Sequence, residues 1–192
     1  MTDKTSIVAE RQKPLRRTYC DDPERARTVK WAATSTSAQT DALHSVVQVG
    51  KGYGVAQRTG IDHAVGGDHD LPNPGDLLCA ALAACKDGTV RMIAELLNIP
   101  ILDLQVEVTG DVDVRGCLAI ERSVRVGFQA IACRVDLRVP SEVDPQRLAM
   151  LQKLAEQSCV NLDTLRSGVP VALAFNIVSP SSSARVERMS GD

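Results

Sequence analysis

The stretch Leu77-Leu78-Cys79-Ala80-Ala81-Leu82-Ala83-Ala84-Cys85 contains no polar residue. It is preceded by Asn73-Pro74-Gly75-Asp76. Asparagine is a strong N-cap, proline suits the first helical position, and an acid three residues after the cap can complete the reciprocal bond. Val90, Met92, Ile93, Leu96 and Leu97 carry the apolar pattern on to Asn98-Ile99-Pro100, where proline restricts the residue before it. These positions predict one long helix that is apolar on all sides in its first half, hence buried.

Around this helix the period changes to two. Leu104, Val106 and Val108 alternate with Gln105, Glu107 and Thr109, so 101–114 reads as a half-buried strand. Residues 118–128, 130–139 and 170–178 read as further strands. Residues 28–35 and 43–57 read as two extended segments joined by a Ser/Thr-rich hairpin connection, Thr34–Thr40. Leu148, Leu151, Leu154 and Ala155 predict a second helix over 145–157, with Ser141 as its cap. Between these elements, 59–75 is a glycine- and proline-rich loop, of a length that often serves a function. The order of strands, buried helix, strands, helix and strand is an α+β pattern. We divide the chain into a charged arm over 1–27, with a helix starting at Asp21-Asp22-Pro23-Glu24, one domain over 28–179, and a polar, mobile tail over 180–192.

Composition narrows the function. With 44% hydrophobic residues the chain can bury a core, and only 3% are aromatic. A net charge of −2 argues against nucleic acid or an anionic membrane as partner. No apolar run is long enough for a membrane span, and the first twenty residues lack the apolar core of a secretory leader. The expected compartment is the cytoplasm, where the six cysteines would be reduced and any disulfide transient. Cys20, Cys79, Cys117 and Cys133 read as packing or surface thiols; Cys85 and Cys159 on local context alone stand between packing and chemistry. His63, Asp68, His69 and Asp70 share the long loop, but their spacing fits no zinc pattern, and Gly50-Lys51-Gly52-Tyr53-Gly54 is not followed by the Lys-Ser/Thr of a phosphate loop. No metal and no cofactor are expected. The Lys86-Asp87-Gly88 step interrupts the apolar helix and predicts that one of its sides meets water, a pocket or another chain.

Two motifs in order carry a resemblance. The first runs from Gly66-Gly67 through Pro72-Asn73-Pro74-Gly75-Asp76-Leu77-Leu78 to Cys85. The second is Ala155-Glu156-Gln157-Ser158-Cys159, followed by Thr164-Leu165 and Gly168-Val169-Pro170-Val171. Together with Gly127-Phe128, these resemble the OsmC/Ohr family (osmotically inducible protein C and organic hydroperoxide resistance proteins) over about residues 42–178. The resemblance implies antiparallel sheets packed around the central helix in an intertwined homodimer, with active sites at the subunit interface. It implies a peroxidase that reduces organic hydroperoxides to alcohols through a Cys85 sulfenic acid and a Cys85–Cys159 disulfide. A dithiol, such as a lipoylated protein, would then reopen that disulfide. Cys79 and Cys85 lie six residues apart on one helix, about 9 Å between Cα atoms, too far for a disulfide.

A thiol needs a cation to ionise at neutral pH, and Cys85 is too far along its helix to use the dipole. The resemblance of Tyr53-Gly54-Val55-Ala56-Gln57-Arg58 to the family's arginine-bearing segment makes Arg58 the candidate. Family members with strong activity carry glutamate ten residues before the reactive cysteine; here that residue is Gly75, with Asp76 adjacent as the candidate substitute. The departure keeps a second reading open, an OsmC-like dimeric binding or stress-associated protein with little turnover.

Overall fold

The computed structural model describes residues 6–34 and 41–177. The 35–40 part of the hairpin connection, Val178 and the 180–192 tail lie outside them. The elements run α1 (Ile7–Asp21), β1 (Ala32–Thr34), β2 (Ser45–Val49), β3 (Ala56–Thr59), α2 (Pro74–Leu96), β4 (Asp103–Asp111), α3 (Val114–Cys117), β5 (Ala130–Arg138), α4 (Pro145–Gln157) and α5 (Val160–Ser167). This is an α+β architecture with two antiparallel sheets, ordered β1-β2-β3 and β4-β5.

The long central helix forms as its first turn predicts. The Asn73 side chain accepts from the amides of Gly75 and Asp76, and the Asp76 carboxylate accepts from the Asn73 amide at 2.9 Å. A cap of this kind contributes about 1 kcal/mol. The helix ends at Leu97, and Asn98 takes a left-handed conformation with φ of 50°.

Nine register pairs join β4 to β5, from Asp103 opposite Arg138 to Asp111 opposite Ala130. Leu104 faces Leu137, Val106 faces Val135 and Val108 faces Cys133, so one side of the ribbon is apolar. The other side is charged, and Arg134 bridges Glu107 and Asp136 at 3.0 Å each. The apolar side packs with Val90, Ile93, Ala94, Ile99, Leu151 and Ala155 to form the core between α2, α4 and the ribbon. Each such side chain contributes about 1.5–3 kcal/mol when fully buried.

Several expectations need correction. The central helix is not buried all round: in the single chain Leu78, Ala80, Ala81, Ala84 and Met92 are exposed, because no element among the described residues covers that side. Residues 118–128 are not a strand; the chain forms α3 and then turns, with Gly116 pressed against the Arg125 carbonyl. The 43–57 segment is two strands with a turn between them, since Gly50, Gly52 and Gly54 all adopt positive φ. Asp144 caps α4 instead of Ser141. In the arm, Asp21-Asp22 ends a helix and is followed by a 3-10 turn, Pro23–Ala26, instead of starting one.

The last segment departs most. Residues 168–177 form no strand, and Val171, Leu173, Phe175 and Ile177 are each at least 80% exposed. Their alternation specifies a strand only where a sheet edge is free to pair, and within one chain none is used.

The arm is attached at its start. Glu95 on α2 accepts from the Ser6 hydroxyl at 3.0 Å and the Val8 amide at 3.2 Å, while the Ser6 oxygen caps Ala9. No residue of α1 is buried.

Candidate active site

Cys85 sits midway along α2, half-buried, beside the exposed Ala84. Cys159 follows the last residue of α4 by two positions. It occupies the one-residue junction between Ser158 and α5, where its carbonyl accepts from the Asp163 amide at 3.0 Å. Sequence alone also missed α5, whose N-cap is a cysteine that makes no side-chain cap bond. Two polar contacts hold this junction against α2. Asn161 donates from Nδ2 to the Ala81 carbonyl at 2.8 Å, and Lys86 donates from Nζ to the Ala155 carbonyl at 3.0 Å.

These contacts bring the two sulfurs together. Cys159 Sγ lies 3.5 Å from Cys85 Sγ. Neither is bonded to another cysteine; all six thiols are free. Cys159 is only 1% exposed, one of the two most completely buried large side chains among the described residues. Its polar neighbours in sequence gave no sign of this, because its burial depends on α5 folding back across α2. Burial pushes the Cys159 thiol above its ordinary value. The α5 amide of Leu162 acts against that, the neighbouring Cys85 adds to it, and the Lys86 charge opposes it. The arrangement can accept an oxidant at the more open sulfur and close a bond to the enclosed one.

The other candidate residues are placed less directly. Arg58 is exposed on β3, opposite Val46 in register, and its charge reaches Asp70. Among the described residues it makes no ion pair and no hydrogen bond to either thiol. The Asp76 carboxylate is engaged in the helix cap. A Cβ on Gly75 would stand 2.9 Å from Asn73 Oδ1 and 3.4 Å from the Phe128 ring, so the position where a glutamate would sit is crowded by the cap and by Phe128.

The remaining cysteines stand apart from this pair. Cys133 lines the apolar side of β5, and Cys79 is part-buried, its thiol pushed up by burial and then by Asp76. Cys20 and Cys117 are exposed, which corrects the packing role expected for Cys117.

The long loop is folded. The Gly60 amide donates to the Pro72 carbonyl at 3.1 Å and closes its base. His44 Nδ1 meets Asp41 at 2.9 Å and its Nε2 meets Asp70 at 3.1 Å. Asp62, His63 and His69 place one ligand atom each within 4.8 Å of the others, the group among the described residues that could hold a metal. Two of the three are exposed, and the Asp62 carboxylate already accepts from the Ala64 amide and from Asn73 Nδ2.

A cavity of about 1050 Å³ opens between α2, β5, α4 and α5. Lys86, Arg125, Arg166 and Glu156 stand among apolar walls that include Leu82 and Phe128. Neither Cys85 nor Cys159 lines it.

A thiol pair held between a capped central helix and the junction of α4 with α5 defines an α+β protein with a dithiol site. The family comparison gives that class its name: residues 67–174 match the OsmC-like protein family, and the chain belongs to it. Solved structures agree in fold at low identity. An OsmC-like protein from Mycoplasma pneumoniae superposes with a TM-score of 0.57 at 15% identity, covering 73% of this chain and 89% of that one. An OsmC-like protein of unknown function from Vibrio cholerae gives 0.58 at 12% identity, covering 72% and 94%. An organic hydroperoxide resistance protein from Legionella pneumophila gives 0.53 at 16% identity, covering 72% and 90%. No curated protein matches the chain. Among the described residues no helix is long and apolar enough to cross a membrane.

Proposed function

We propose that the chain is a thiol-dependent peroxidase that reduces organic hydroperoxides. The observation that carries this is the 3.5 Å approach of Cys85 Sγ to Cys159 Sγ, from two distant parts of the chain and with no bond yet formed. The Cys85 thiolate attacks the outer oxygen of ROOH, the O–O bond breaks, and RO⁻ leaves and is protonated to the alcohol. Cys85 becomes a sulfenic acid. The Cys159 thiolate then attacks the Cys85 sulfur, and the departing hydroxide takes up the proton that Cys159 released, forming water. A dithiol reductant, for which a lipoylated protein is the candidate, reopens the disulfide and is itself oxidised to a disulfide.

Cys85 is the attacking residue in this reading because it is the more exposed sulfur, and Cys159 is the resolving one. Arg58 is the proposed activating cation, delivered at the interface of a homodimer. The exposed apolar side of α2 and the exposed segment 169–177 support that assembly, since a lone chain would leave both in water. The expected compartment is the cytoplasm, where a dithiol pool keeps the pair reduced.

The test is intact mass and thiol mapping after one equivalent of cumene hydroperoxide. The expected result is loss of two hydrogens with a Cys85–Cys159 linkage. Absent reaction, or oxidation scattered over Cys20 and Cys117, overturns the reading. It would favour an OsmC-like dimeric binding protein with little turnover, which the crowded Gly75 and the cap-bound Asp76 also favour.

A further inference from the structure

Lys86 follows the proposed nucleophile directly in sequence, yet it is only 7% exposed. A buried ammonium loses several kcal/mol of hydration and ordinarily loses its proton or finds a partner. Its partner is the Ala155 carbonyl at 3.0 Å, in the last turn of α4. Carbonyls at a helix C-terminus carry partial negative charge, which favours a cation there. Ala155 lies one turn before Cys159, so this bond fixes the Lys86 amine at the approach to the buried sulfur. Glutamate and arginine stand nearby as well: Glu156 on α4 is bonded to Arg166 on α5 at 2.7 Å, and each of them lines the cavity with Lys86. Arg166 occupies the Glu156 carboxylate, which leaves less of it to neutralise Lys86. From α2, Cys85 also faces Cys159, with its Sγ at 3.5 Å.

We propose that Lys86 is a positioning residue for the resolving step, holding a fixed positive charge that favours the thiolate of the buried Cys159. It acts when that thiolate attacks the Cys85 sulfenic acid and again when it leaves during reduction by the dithiol. Without such a charge, a sulfur enclosed to 1% exposure would stay protonated and close slowly. The Lys86 charge in fact opposes the upward push that burial gives the thiol. The assignment rests on the peroxidase reading for the kinetic step but not for the ionisation it predicts, so the two can fail separately.

The ionisation is read from the ultraviolet thiolate absorbance of the full chain against pH. Subtracting a Cys85→Ser/Cys159→Ser chain from Cys85→Ser isolates Cys159. Adding Lys86→Met should raise the Cys159 midpoint by about one pH unit, a tenfold loss of thiolate near neutrality, and Lys86→Arg should restore most of it. Lys86→Gln, which keeps a hydrogen-bond donor for the Ala155 carbonyl but no charge, serves where the methionine variant does not fold and should raise the midpoint likewise. In otherwise unmodified protein, Lys86→Met should slow disulfide closure about tenfold at neutral pH and leave the rate of sulfenic acid formation within about twofold. An unmoved midpoint in Lys86→Met, or in Lys86→Gln where the former does not fold, overturns the proposal. Shifted midpoints in a chain that ignores hydroperoxide would uphold the Lys86 assignment and overturn the peroxidase reading alone.

Discussion

Cys85 Sγ and Cys159 Sγ lie 3.5 Å apart although 74 positions separate the residues. A disulfide needs about 2.05 Å between sulfurs, so the pair is within about 1.5 Å of bonding and neither helix must unwind to close it. On the proposed peroxidase reading the more open Cys85 attacks first and the enclosed Cys159 resolves. Cys85→Ser should abolish hydroperoxide consumption, whereas Cys159→Ser should allow one turnover and leave a sulfenic acid that a dione probe captures. Mass spectrometry of each variant after a single equivalent of cumene hydroperoxide checks this. Full turnover by Cys85→Ser would remove it as nucleophile.

Gly75 invites an obvious repair that the geometry resists. Replacing it with glutamate places a Cβ 2.9 Å from Asn73 Oδ1, the atom that caps α2. Gly75→Glu should therefore cost about 1 kcal/mol of cap stability, about 2–4 °C in melting temperature, before any gain in activity. Calorimetry beside a turnover assay separates the two effects. An unchanged melting temperature would mean that Asn73 moves aside freely.

His44 ties the start of β2 to the long loop through Asp41 and Asp70. Asp70 and then Asp41 raise its imidazole above the ordinary 6.5. The Leu43 amide and then His44 lower Asp41 from 3.8, and His44 is the main cause of the same shift at Asp70. A raised base contributes fully below 6.5 and its contribution is lost as pH rises through the folded pKa. The lowered carboxylates contribute above 3.8 and lose their contribution as pH falls through theirs. The tie should thus be complete at mildly acidic pH and weaken above neutrality. An imidazole titration by nuclear magnetic resonance should show a midpoint above 6.5 that falls in Asp70→Asn, where Asp41 alone remains to raise it.

The exposed side of α2 carries Ala81 and Ala84, and Gly88 follows one turn later with open space where a Cβ would stand. In the proposed homodimer this side would be covered, and a long charged side chain on it would be buried. Ala84→Arg should raise the dimer dissociation constant at least tenfold, which is about 1.4 kcal/mol, and light scattering after gel filtration reads it. A dimer as tight as the unaltered protein would place the interface elsewhere.

Local chemistry was legible where it is local. Asn73, Pro74 and Asp76 specify the start of α2 within four residues, and Leu104, Val106 and Val108 specify a strand with one apolar side. Where a position depends on distant chain, sequence was a poor guide. The burial of Cys159 follows from Asn161 reaching Ala81 and Lys86 reaching Ala155, contacts that no window of residues contains. The polar Lys86 in an apolar helix was a visible anomaly, and its resolution as a buried charge needed the position of α4. The 170–178 pattern was read as a strand although a period of two states only that a strand can form, not that a partner edge exists in the same chain.

The arm has a consequence of its own. No residue of its helix is fully buried, and its first turn is fastened to Glu95 while its far end runs into the exposed stretch around Val29. One cut between Arg27 and Lys30 would leave the arm fastened to α2 through Ser6 and Val8 on Glu95, ten residues along that helix from Cys85.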